Sequence, residues 1–237
     1  MREQPEQQAP PVQRLRIRYT KRGRMRFTSH RDFSRAFERA LIRAGIPMAM
    51  SSGFNPHPRL SYAGAAPTGA ASEAEFLEIG LKEVLDPEVV LARLAEVMPD
   101  GLDLIEVAES PGGSLADLLE ASDWFIELAA GAEATAAAVS AFLAAEEVPV
   151  ERMTKRGLRS FDSRGAVLAM TSQATSTGSG LRLRLRHQEP SVRPDDVIRG
   201  LVAVGGLQVG VEHGGVPLLT RLTQGTLSGT EILDPLR

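Results

Sequence analysis

The stretch Gln13-Arg-Leu-Arg-Ile-Arg-Tyr19 sets Leu15, Ile17 and Tyr19 against Arg14, Arg16 and Arg18. Successive side chains leave a pleated backbone on opposite faces, so this period of two predicts a half-buried strand with its arginines turned to solvent. Outward from it, Ser29 is the expected cap of a helix running to Gly45. Phe33, Ala36, Phe37, Ala40, Leu41 and Ala44 recur there every three or four residues, and Gly45 with Pro47 stops the helix. Arg31, Arg35, Arg39 and Arg43 then fall four apart along one exposed stripe. Strands are expected over 59–64 and 75–81, a helix over 87–98 capped by Asp86, and a strand over 102–108. The order is β-α-β-β-α-β, the ferredoxin-like arrangement.

The cluster Ser110-Pro-Gly-Gly-Ser114 breaks the chain. Beyond it the order repeats, with strands over 124–128, 148–153 and 167–172, a helix over 133–145, and the segment Gly180 to Gln188. That segment opposes Leu181, Leu183 and Leu185 to Arg182, Arg184 and Arg186. A helix opening at Pro194 and a strand over 218–227 complete it. The fold class expected is therefore α+β: a disordered, Pro-rich tail over 1–12, a ferredoxin-like unit over 13–110, a linker over 111–122 and a second unit over 123–237. In each unit one sheet face is expected under helices and the other free.

The 237 residues carry a formal charge of only −3, which conceals a strong asymmetry. Residues 11–60 hold twelve basic side chains against Asp32 and Glu38, a net +10. Residues 72–150 hold eighteen acidic against two basic, a net −16, and residues 151–200 return to ten basic against five acidic. Two cationic blocks thus flank an acidic one, a pattern suited to a polyanion, although 24 of the 27 basic residues are Arg and a general Arg bias would also enrich the surface. With no Cys in the chain, disulfides, thiolate nucleophiles and Cys-held clusters are excluded. No metal or cofactor is expected, since the P-loop, Gly-x-Gly-x-x-Gly, His-Glu-x-x-His and Gly-x-Ser-x-Gly patterns are all missing. The most apolar stretch, 128–145, contains Glu133, and the expectation is a cytoplasmic chain with no membrane span.

Three segments carry groups suited to nucleic acid. Lys21-Arg22-Gly23-Arg24 with Arg26, and Lys155-Arg156-Gly157, place cations beside a Gly turn that can approach phosphate. Arg31 and Arg35 continue the first block along the helix. Gly53-Phe54-Asn55-Pro56-His57-Pro58-Arg59 joins a stiffened loop to an aromatic ring that can stack on a base, with Asn55, His57 and Arg59 beside it. The weak catalytic candidates are His30 with Asp32, a close His–carboxylate pairing in the basic block, and His57, two imidazoles able in principle to share acid and base roles at a phosphodiester.

The run from Lys21 to Arg35, followed by Arg43-Ala-Gly-Ile-Pro47 and Ser51-Ser-Gly-Phe-Asn-Pro-His-Pro-Arg-Leu-Ser61, resembles the radical-SAM-associated, or radical-SAM-linked, proteins. The resemblance continues through Pro67 to Glu75, and more weakly through Thr154-Lys-Arg-Gly157, Asp162-Ser-Arg164 and Arg193-Pro-Asp-Asp196. It implies a module that stands alone or is joined to a radical SAM enzyme. A chain without Cys then matches the stand-alone form, any cluster belonging to a partner chain. The function expected is a non-enzymatic RNA-binding module in RNA maturation or ribosome-associated work, its partner a structured or ribosomal RNA. The alternatives are a protein–protein adaptor for a radical SAM enzyme and an RNA-modifying or RNA-cleaving enzyme.

Overall fold

A computed structural model describes residues 7–154, 157–213 and 215–237. The chain divides into two compact units, Met1–Leu118 with Pro235–Arg237, and Leu119–Asp234. Both are α+β.

In the first unit, β1 (Gln13–Lys21), α1 (His30–Arg43), β2 (Leu60–Ala63), β3 (Ala71–Leu81), α2 (Pro87–Ala95) and β4 (Leu104–Glu109) follow one another. The sheet order is β4-β1-β3-β2, every pair antiparallel. Leu15, Ile17 and Tyr19 of β1 and Leu77, Ile79 and Leu81 of β3 form one apolar face. Phe33, Phe37, Ala40 and Leu41 of α1 and Val90 and Leu94 of α2 cover it, and the Tyr19 ring stacks on Phe33 at 5.0 Å. Ser29 caps α1, accepting from the Asp32 amide at 3.2 Å and donating its hydroxyl to the Asp32 carboxylate at 2.7 Å. Gly45 ends the helix with φ +62°, a left-handed conformation open to glycine.

The other face departs from expectation. Arg14 points to solvent and Arg18 is half-buried, but Arg16 is 0% exposed. Its Nε donates to Glu78 at 3.3 Å, Nη1 to the Pro235 carbonyl at 3.1 Å and Nη2 to the Gly112 carbonyl at 2.8 Å. Ser110 Oγ also donates to Glu78, at 2.7 Å. The linker expected over 111–122 and the last residues of the chain thus supply part of the first unit's interior, and the middle of this polar face is dry. Nor is the tail free up to residue 12. Gln8 donates its amide to Ser52 Oγ and Val12 donates its amide to the Leu81 carbonyl.

The second unit contains β5 (Ala121–Leu128), α3 (Ala132–Ala144), β6 (Pro149–Thr154), β7 (Gly157–Asp162), β8 (Val167–Thr175), β9 (Gly178–Arg186), α4 (Pro194–Gly205), β10 (Leu218–Ser228) and β11 (Glu231–Leu233). Its sheet runs β10-β5-β9-β8, again antiparallel, with β11 on β10. Trp124, Ile126, Leu128, Leu181, Leu183 and Leu185 are buried on one face. α3 and α4 approach so closely that a methyl group at Gly205 would stand 2.5 Å from the Ala138 Cα.

The strand expected over 148–153 forms as β6 but pairs with β7, a strand not anticipated, in a separate two-stranded hairpin. β8 occupies the sheet edge instead. Apart from Val150, which is buried, this hairpin leaves both its surfaces largely open, with Met153 and Leu158 exposed side by side in register. β7, with its first four residues exposed, lacks the one-sided alternation that marks a sheet strand.

Candidate nucleic-acid interface

Two anchors fix where the cationic segments lie. A 3-10 turn, Gly23–Phe27, follows β1 and is held at the end of the sheet where β3 begins: the Arg22 amide donates to the Gly101 carbonyl at 2.8 Å and the Gly69 amide to the Arg26 carbonyl at 2.7 Å. The Phe54 loop is tied to the other end of β3, where the Ala49 amide donates to the Gly80 carbonyl at 2.8 Å and the Gly80 amide to the Arg59 carbonyl at 3.0 Å. Lys21 pairs with Ser72 and Arg14 with Gly80, so the anchors stand about 26 Å apart at ~3.3 Å per strand residue. Helix α1, about 21 Å long at 1.5 Å per residue, lies between them in the chain and packs on β1 through Phe33 and Phe37. The first-unit residues singled out from the sequence lie along an extended stretch rather than around one pocket.

Along that strip the cations differ in availability. Lys21 is 7% exposed inside β1 and presents no charge to solvent. Arg22 is held by two carboxylates: it pairs closely with Glu73 and lies 3.0 Å from Asp103. The bond to Glu73 chiefly raises its guanidinium above the ordinary range. Arg24 is exposed, and Arg26 lies 4.6 Å over the ring of Phe27, itself 59% exposed. Arg31, Arg35, Arg39 and Arg43 are all exposed. Among the described residues none of these four has a carboxylate within ion-pair distance. Lys155 and Arg156 lie outside the described residues.

Phe54 is 69% exposed at the tip of its loop, not packed on the sheet. The loop is closed by a Met50–Pro58 bridge and by reciprocal bonds between Ser51 and His57. Asn55 and His57 are exposed, while Arg59 is half-buried with Nε on the Met50 carbonyl at 3.0 Å. His57 borders a depression with Arg14, Ser61 and Glu78, on the polar face of the sheet.

The catalytic candidates do not assemble. The His30 ring meets Tyr62 edge-on at 4.9 Å, and Tyr62 in turn packs on Phe33 of the helix-covered core. Burial pushes the Tyr62 phenol up from its ordinary value. His30 and His57 therefore stand on opposite faces of the sheet, and the Asp32 carboxylate accepts from the capping Ser29. Among the described residues no group of three or more His, Asp or Glu side chains is arranged to hold a metal, and no helix is long and apolar enough to cross a membrane.

Residues 14–194 match the model of the family described as "Uncharacterized protein conserved in bacteria (DUF2344)". The chain belongs to this family. The segment shared with DUF2344 takes in the 3-10 turn, α1 and the Phe54 loop. No curated protein matches the chain. Among solved structures, a chain of "Crystal Structure of a Cbf5-Nop10-Gar1 Complex" is similar at 10% identity and a TM-score of 0.46, over 94% of the present chain and 56% of that one. A likeness at that score carries no argument about this DUF2344 chain.

One aromatic residue of the second unit was not singled out from the sequence. Phe125 lies half-buried on the sheet face away from the helices, with Arg182 5.7 Å from its ring. Its signal was the odd member of Trp124-Phe125-Ile126: adjacent aromatics in a strand must face opposite ways.

Proposed function

We propose that this DUF2344 chain is a non-enzymatic RNA-binding module that grips a structured RNA along the strip from Arg24 and Arg26, over the α1 arginines, to Phe54. The observation that carries the reading is the bare stripe Arg31, Arg35, Arg39 and Arg43. Like charges at i,i+4 destabilise a helix by about 0.2–0.5 kcal/mol per pair, and a cation in the first turn opposes the helix dipole. Asp32 in the first turn and Glu38 offset part of this, but neither pairs with the four arginines; three such pairs left without ion-pair partners set up a positive potential that phosphate would answer. Phe54, with two-thirds of its surface in water, adds a ring for a base.

Three further readings stand with this one. Each unit is taken as a ferredoxin-like unit, supported by the β-α-β-β-α-β order and the equivalent strand orders β4-β1-β3-β2 and β10-β5-β9-β8. A cytoplasmic setting is kept as the reading of a chain whose most apolar stretch is interrupted by Glu133, and a radical SAM enzyme as protein partner is what the family resemblance implies. Co-purification with such an enzyme that survives nuclease would separate an adaptor from an RNA reader.

The decisive experiment replaces Arg31, Arg35, Arg39 and Arg43 together by Gln and follows binding to ribosomal and transfer RNA across a salt series. The wild type is expected to show a steep fall of affinity with salt, and the variant a slope shallower by about 3 units, from four lost phosphate contacts. Its melting temperature should hold or rise slightly as the i,i+4 repulsion is relieved. A wild-type protein that binds no RNA at low salt would overturn the proposal.

A further inference from the structure

The sheet face of the second unit that points away from its helices carries one aromatic ring at its centre. Phe125 lies on β5, an inner strand of the order β10-β5-β9-β8, opposite Arg182 of β9 and Thr220 of β10. The ring leans over Gly180, where an added methyl group would meet its carbons at 2.5 and 2.6 Å. Glycine at this position therefore lets the ring lie down on the sheet rather than stand from it. Around it Ala169, Thr171 and Arg182 are exposed, and a depression of about 280 Å³ runs beside it between Asp123, Ala169, Thr171, Arg182, Arg184 and Leu222.

The face carries both signs, with Arg182, Arg184 and Arg186 against Asp123 and Glu127. Asp123 is taken up by Arg184, whose Nε and Nη2 both donate to it at 2.7 Å. Glu127, on the same strand, is exposed at the level of Gly180. Arg182 and Arg186 have no carboxylate partner among the described residues, and Arg182 stands over the aromatic ring. A flat ring on an inner strand, flanked by cations and short polar side chains, is the physical requirement for stacking an unpaired base while the backbone phosphate is held alongside.

We infer that this face is a stacking site for a single-stranded RNA segment, with Phe125 under one base and Arg182 and Arg186 on the neighbouring phosphates. The inference rests on the RNA-binding reading and deepens it. The first unit's strip would take phosphates of a structured region, and the second unit's sheet an unpaired stretch.

The test uses the full chain and a six- to eight-nucleotide single-stranded RNA carrying one 2-aminopurine, whose fluorescence is quenched on stacking, together with ultraviolet cross-linking of a uridine-containing oligonucleotide mapped by peptide mass. Cross-links on the peptide spanning 121–128 and a loss of oligonucleotide affinity of roughly ten-fold in Phe125→Leu are expected. Arg182→Ala, an exposed position that should leave folding intact, is expected to weaken the same oligonucleotide several-fold. Binding of structured RNA should survive both substitutions. Cross-links confined to the first unit, or Arg182→Ala and Phe125→Leu binding the oligonucleotide as the wild type does, would overturn the stacking site and leave the reading of α1 standing. A wild-type protein that binds neither RNA would overturn both.

Discussion

Strands β1 and β9 are written alike, with large apolar residues on one face and three arginines on the other, yet the middle arginines end in different conditions. In β1, Arg16 has no exposed surface and spends its guanidinium on Glu78 and the carbonyls of Gly112 and Pro235. In β9, Arg182 is exposed and Arg184 half-exposed beside Asp123. Alternation decides which face of a strand is apolar, through the pleat. It does not decide whether the polar face stays wet. That depends on whether another part of the chain returns to cover it.

The contrast breaks first at Arg16. Arg16→Ala strands the Glu78 carboxylate in a buried site with only Ser110 and Arg14 to answer it, and a cost of about 3–5 kcal/mol is expected, read as an earlier urea midpoint by circular dichroism. A loss under 1 kcal/mol would mean that the face is hydrated and that β1 and β9 do not differ. Arg184→Ala removes a partly exposed pair and should cost about 1 kcal/mol. Trp124 is the single tryptophan and packs in the same unit, so its fluorescence follows this transition. Arg182→Ala should leave stability within about 0.5 kcal/mol, which makes any effect on RNA a binding effect.

The smallest expected effect is one of pH. His187 directs Nδ1 at the Leu119 carbonyl, 2.7 Å away, and Nε2 at Ser122 Oγ, 2.8 Å away. A carbonyl accepts and the hydroxyl can donate, so the neutral ring with its proton on Nδ1 satisfies both. The residue keeps some exposed surface, but burial around the ring lowers its pKa, with a smaller downward push from Arg221. An imidazole whose pKa is lower folded than unfolded takes up its proton first in the unfolded chain. The second unit should therefore hold its stability above the ordinary histidine value of about 6.5 and lose some as pH falls below it. His187→Gln should flatten that part of the pH profile; an unchanged profile would place the titration elsewhere.

Most elements were legible because their cause is local. The Ser29 cap, the 3- and 4-residue spacing of Phe33, Phe37, Ala40 and Leu41, and the Gly45 stop all lie within one segment, and α1 forms within it. The buried state of Arg16 was not legible, because two of its partners come from 96 and 219 positions away. The β6–β7 hairpin was hidden by a different cause: with most of its side chains exposed, Gly157–Asp162 shows no apolar period to read. Of the candidate site, the exposed stripe and the exposed Phe54 were readable from spacing and loop composition. The withdrawal of Lys21 into β1 and the capture of Arg22 by Glu73 and Asp103 depend on β3 and β4 and were not.

The bond from Arg16 to the Pro235 carbonyl also sets a clock. The first unit is interrupted in the chain, since all of Leu119–Asp234 is made between its two parts. At about 5–20 residues per second of synthesis, Arg16 waits roughly ten to forty seconds after its own translation before the carbonyl that completes its shell exists. During that interval Arg16 has Glu78 and the Gly112 carbonyl but lacks its last acceptor. The first unit's closing step is thus tied to the arrival of the last residues rather than to the emergence of its own strands.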